Sequence, residues 1–103
     1  MQNAVLISAQ VGEVLDGPAF SLDELAHACG VRPDWVQACV EAGVLQVDLS
    51  TGAWRFDSLS VLRARRIVHL ETTFDADPQL AALTADLIEE VTQLRRQLAA
   101  RQR

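Results

Sequence analysis

"SLDELAHACGVRPDWVQACVEAGVL", residues 21–45, decides the fold of this 103-residue chain. It opens on a capping box: Ser21 can accept a hydrogen bond from the backbone three residues on, and the Glu24 carboxylate can return one. Acids in the first turn also suit the helix dipole. Leu22, Leu25, Ala26 and Cys29 fall on one face, so the spacing predicts a helix that Gly30 ends. Pro33 is placed as the first residue of a second helix, in which Val36, Cys39 and Val40 make a short apolar stripe before Gly43 closes it. Two short helices joined by "GVRP" form a helix-turn-helix pattern.

Working outward, "VLQVDLSTGAWRF" (residues 44–56) alternates at Leu45, Val47 and Leu49, turns at Ser50-Thr51-Gly52 and returns through Trp54 and Phe56, the pattern of a small hairpin or wing. Asp57 or Ser58 caps a third helix expected to run to about Phe74. Its apolar side holds Val61, Ala64, Ile67, Val68 and Leu70, with Arg65, Arg66 and His69 clustered opposite. "DADP" (residues 75–78) then breaks the helical run, because Pro78 disfavours helix before it and starts one after it. A last helix is predicted from Pro78 to near Ala100. Leu80, Thr84, Leu87, Val91, Leu94 and Leu98 form a heptad seam that Leu83 and Ile88 widen.

A seam of that length on a small domain calls for a partner, and a second copy of the protein is the simplest one. The residues expected to carry the homodimer are Leu80, Leu83, Leu87, Val91, Leu94 and Leu98. Upstream, Ala4-Val5-Leu6-Ile7 and the alternation through Val11 and Val14 have strand character, and "DGP" at 16–18 is turn chemistry. The expected organisation is therefore a winged helix-turn-helix-like domain over 1–76, with strand and turn at 1–19, followed by a dimerisation helix over 77–103.

Charge is unevenly divided. Residues 1–53 hold seven acids (Glu13, Asp16, Asp23, Glu24, Asp34, Glu41 and Asp48) against Arg32 alone, whereas residues 54–103 hold eight arginines against seven acids. Nucleic-acid affinity rests largely on Lys and Arg displacing condensed counterions, so the first half should repel DNA and attract a basic protein surface. The front of the second helix offers Arg32, Asp34, Trp35 and Gln37, too few donors for base readout. Arg55, Arg63, Arg65 and Arg66 could meet phosphates, or could pair with Asp57, Glu71 or acids of a dimer mate. Trp54 is expected to pack under the wing; Trp35 either anchors a partner or seals the gap between the first two helices.

Nothing points to catalysis. There is no glycine-rich phosphate cradle, nucleophile elbow or HExxH helix, and His27 and His69 read as surface residues. Cys29 and Cys39, ten positions apart, lack metal-ligand spacing and read as buried free thiols, so no cofactor or metal is expected. No stretch nears the ~18 apolar residues of a membrane span, and "MQNAVLISAQ" lacks a basic signal n-region. A cytoplasmic protein is expected.

The succession of residues 21–45 above, then "WRF", "LRARRIVHLE" and "LTADLIEEVTQLRRQL" resembles the chaperone modulatory protein CbpM family, over about residues 20–98. That family is in turn similar to MerR-type winged helix-turn-helix proteins, with an antiparallel helical dimer arm. The resemblance implies a mainly α, MerR-like fold with a small β-hairpin wing. It also implies a noncatalytic dimer that binds the J domain of a CbpA/DnaJ-like co-chaperone and blocks its work with a DnaK-type chaperone. Since J domains carry a basic second helix, the partner-binding residues are expected to be Glu13, Asp16, Asp23, Glu24, Asp34 and Trp35, assigned by sign and exposure. Two features depart from the pattern: Arg32 stands at an N-cap where Ser is commoner, and the elbow "TTFDADPQLAAL" lacks the glycine and large apolar residue often seen there, so a different elbow angle is expected. The alternative is a MerR-like DNA-binding transcriptional regulator using Arg55, Arg63, Arg65 and Arg66; against it, Asp34, Gln37, Ala38 and Cys39 stand where such proteins carry arginines and tyrosines.

Overall fold

The structure is a computed structural model and describes residues 19–102. The strand and turn expected at 1–18 lie outside the described residues. Four helices follow in order: α1 (Leu22–Cys29), α2 (Pro33–Glu41), α3 (Ser58–Phe74) and α4 (Pro78–Arg101). The fold is mainly helical, as the periodicity requires.

Each helix starts where its local chemistry says it should. Ser21 Oγ accepts the Glu24 N–H at 3.1 Å and Glu24 Oε1 accepts the Ser21 N–H at 2.8 Å, which closes the capping box of α1. Gly30 ends α1 at φ 69°, a left-handed pose that costs glycine nothing. Pro33 opens α2, but Arg32 makes no side-chain hydrogen bond to the first turn, so this start rests on the fixed proline φ and the Asp34 charge in the first turn. Asp57 Oδ1 accepts the Ser60 N–H at 2.8 Å at the start of α3, and Asp77 Oδ1 accepts the Leu80 N–H at 2.9 Å at the start of α4.

The wing is smaller than the alternation predicts. Asp48 and Arg55 form a single antiparallel bridge, and a second bridge joins Phe20 to Phe56. Leu45 is buried, Val47 half-buried and Leu49 exposed, so the apolar alternation does not stay on one face. The cause is local. Asp48 Oδ1 accepts the Ser50 N–H at 2.7 Å, an Asx turn that curls the backbone toward Gly52 and ends the ladder one residue too early for Leu49 to join it. On the far side, the Ala19 and Phe20 N–H groups donate to the Phe56 carbonyl at 3.1 and 2.9 Å, and Phe56 returns a bond to Phe20 at 2.8 Å.

The protein divides into two compact units, one up to Arg65 and one from Arg66 onward, a division that falls inside α3. In the first unit α1 packs on α2, and Leu25, Ala26, Val36, Leu45, Phe56, Val61 and Ala64 form one core cluster. Trp54 lies against that cluster with its ring edge-on to Phe56, centroids 6.4 Å apart, so it does pack beneath the wing. In the second unit Ile67, Ala81 and Ala85 are buried. The elbow between α3 and α4 holds Asp75 at φ 53°, the left-handed pose that glycine adopts most easily.

Candidate functional site

The outward side of the helix-turn-helix carries Arg32, Asp34, Gln37, Ala38 and Glu41, all exposed on α2 or at its start. Gln37 Nε2 donates to Glu41 Oε2 at 3.4 Å, so the amide that could read a base edge leans along its own helix toward a carboxylate. Two acids and one arginine make this front negative.

Asp23 and Glu24 stand exposed on the first turn of α1, and Asp34 is exposed on the first turn of α2. Glu24 has two further engagements. Its bonds with the Ser21 backbone and side chain, together with the charge of Arg55, hold its carboxyl below the ordinary carboxylate range. The Arg55 guanidinium lies 4.0 Å from it. Trp35, next to Asp34, is half-buried and packs on the core cluster, so its ring covers the two-helix core while one part stays in solvent. The other two expected docking residues, Glu13 and Asp16, lie outside the described residues.

Two arginines of α3 reach inward instead of forming the exposed cluster that the sequence suggests. Arg65 Nη1 donates to the Ala28 carbonyl at 2.6 Å, and Arg63 Nε donates to the Val44 carbonyl at 2.8 Å. The Ala28 carbonyl lies in the last turn of α1, where carbonyls lack intrahelical partners, and the Val44 carbonyl lies in the loop that follows α2. Arg65 therefore caps the end of α1, while Arg63 ties α3 to the loop after α2. Neither phosphate contact nor pairing with Asp57 or Glu71 had suggested this use. No local pattern could show it, since the acceptors are 37 and 19 positions away. It also draws charge inward from any phosphate backbone.

Cys29 and Cys39 are thiols, half-buried where full burial was expected. Burial pushes the Cys29 thiol up to about 11, against the opposing charge of Arg65. Among the described residues no three His, Cys, Asp or Glu residues converge as a metal site. His27 is exposed; His69 is exposed too, with Thr73 Oγ1 3.2 Å from its Nδ1 and its ring edge-on to Phe74.

In the second unit, Leu80, Leu83, Leu87, Val91, Leu94 and Leu98 are 46 to 58% exposed along one side of α4. Thr84, the polar position of that seam, turns its hydroxyl to the Leu80 carbonyl at 2.8 Å and adds no unmet donor. Along α4 the acids Asp86, Glu89 and Glu90 all precede the bases Arg95, Arg96 and Arg101. Among the described residues no helix is long and apolar enough to cross a membrane.

No curated protein and no solved structure matches the sequence. Residues 20–102, from the residue before the capping serine to the end of α4, match the family described as MerR HTH family regulatory protein.

Proposed function

Because the protein belongs to the MerR HTH family of regulatory proteins, we propose that it turns this helix-turn-helix toward a basic protein surface instead of DNA. It is a noncatalytic cytoplasmic modulator that binds the J domain of a CbpA/DnaJ-like co-chaperone and hides the face offered to a DnaK-type chaperone. The observation that carries this reading is the front of α2, where Asp34 and Glu41 outnumber Arg32 and Gln37 is turned toward Glu41. The withdrawal of Arg63 and Arg65 to backbone carbonyls supports it from the other side. The resemblance of residues 20–98 to the CbpM family supplies the identity of the basic partner.

The protein works as a homodimer through α4. Six exposed aliphatic residues in a row far exceed what a monomer leaves in water without use. The order of acids before arginines along the helix favours an antiparallel pair, in which unlike charges meet.

The test is the association rate with a purified J domain. Reversing Glu24 would break the capping box as well as the charge, so the clean variant is Asp23→Arg with Asp34→Arg. Steering by charge predicts a fall in association rate of roughly tenfold or more at low salt, shrinking as salt rises. An unchanged rate removes this front from the interface. A second reading, a DNA-binding regulator, fits the family and keeps Arg55 and Arg66 of its four expected phosphate contacts. Retention of random duplex in a low-salt gel shift would favour it.

A further inference from the structure

The outward side of α2 has a shape as well as a charge. With 3.6 residues per turn, Asp34, Gln37, Ala38 and Glu41 fall within an arc of about 100° around the helix axis. All four are exposed, and Val36 on the opposite side is buried. Asp34 and Glu41 stand two turns apart, about 10.5 Å along the axis at 1.5 Å per residue. Between them Ala38 carries only a methyl group, so the face is a shallow seat with a carboxylate near each end. The Gln37 amide donates to Glu41 Oε2 at 3.4 Å and lies along one side of it. Half-buried Trp35 borders Ala38 on the other side, and exposed Ala42, one turn on, continues the small surface.

The spacing selects the form of the occupant. A strand advances roughly 3.3 Å per residue, so three residues match the distance from Asp34 to Glu41. An odd separation, however, sends those two side chains to opposite faces, while two or four residues cover about 6.6 or 13 Å. A helix meets the distance directly, because positions seven apart lie on one face, two turns apart. Helices crossing at roughly 20° keep such a length in contact, and their separation is set by the side chains at the crossing. Ala38 allows a close approach there. Charge fixes the sign of the occupant, since the face itself holds no base and Arg32 precedes the helix as its N-cap.

We infer that this face seats one helix of the partner, laid along α2, with two lysines or arginines seven positions apart meeting Asp34 and Glu41 and an aliphatic side chain between them filling the space over Ala38. The inference rests on the reading of the α2 front as a protein-binding surface and adds the form of what it binds. Its new determinants are Glu41 and Ala38, neither of which helix phase and sign had singled out for docking.

The test titrates the full ¹⁵N-labelled protein at low salt with a capped, alanine-based peptide of about 18 residues, long enough to be helical. It carries two lysines seven positions apart and a leucine four after the first. Saturable shifts of the Asp34 to Glu41 amides are expected. An isomer with the lysines five apart should bind about fivefold less well, the loss of one surface ion pair. Ala38→Leu, at an exposed position and still a good helix former, should keep the urea midpoint and weaken the peptide roughly tenfold by overfilling the seat. Equal binding of the two isomers, indifference to Ala38→Leu, or no response at millimolar peptide would overturn the inference. A purified J domain separates it from the reading beneath. If Asp23→Arg with Asp34→Arg slows association while Ala38→Leu leaves the affinity unchanged, charge steering stands and the helix seat falls.

Discussion

Arg65 reaches from the middle of α3 to the Ala28 carbonyl at 2.6 Å and so fastens the third helix to the last turn of the first. The charged donor meets an acceptor that the helix itself leaves unsatisfied.

Removing that bond should destabilise the domain. Arg65→Ala is expected to cost about 1.5–3 kcal/mol, the range for a hydrogen bond to a charged group. Arg96→Ala, on the exposed second half of α4, should stay within about 0.5 kcal/mol. Urea denaturation of both variants gives the comparison, and equal midpoints would mean that the Arg65 bond contributes nothing.

The capping box gives a prediction in pH. The folded Glu24 carboxyl is held below its ordinary value of 4.5, chiefly by the bond from the Ser21 backbone. Its contribution to stability is complete above that value and is lost as pH falls through the lower folded midpoint. A carboxyl-carbon NMR titration should show the depressed midpoint, and Ser21→Ala, which removes the hydroxyl but keeps the backbone N–H, should move it only part of the way back. Separately, loss of the cap should cost α1 about 1 kcal/mol.

Cys29 should be slow to alkylate. A thiol at about 11 instead of 9.0 has roughly a hundredfold less thiolate near neutral pH. Iodoacetamide at mildly alkaline pH should leave it largely unmodified in the folded protein and label it promptly in urea. Rapid labelling of the native protein at this position, read by peptide mass, would contradict the placement of its sulfur.

Dimerisation through α4 predicts that Leu87→Asp with Leu94→Asp yields a monomer in sedimentation. Both residues are exposed within the single protomer, so the circular dichroism of the first unit should persist. An unaltered sedimentation coefficient would place the self-association surface elsewhere.

Much of this architecture is legible in the sequence because it is made of short-range signals. Ser21 with Glu24, Pro33, and the aspartates at 57 and 77 each declare a helix start within three residues. The wing is misjudged because alternation at Leu45, Val47 and Leu49 competes with an aspartate whose carboxylate begins a turn in the middle of it. Phe20 goes unread as a sheet residue since one residue cannot show a period. For the site, sign and exposure of Asp23, Glu24 and Asp34 could be read from composition and helix phase. The engagement of Arg63 and Arg65 could not, because a long-range bond to a carbonyl leaves no trace in side-chain pattern.

The elbow at Asp75 offers an engineering handle. An L-residue with a Cβ crowds its own carbonyl at φ 53°, and the carboxylate is close in sequence to the helix-capping Asp77. Asparagine tolerates that pose and sheds one of the two negative charges, so Asp75→Asn should raise the melting temperature. Valine or isoleucine at the same position, β-branched and barred from that left-handed pose, would instead force the elbow between α3 and α4 into another conformation.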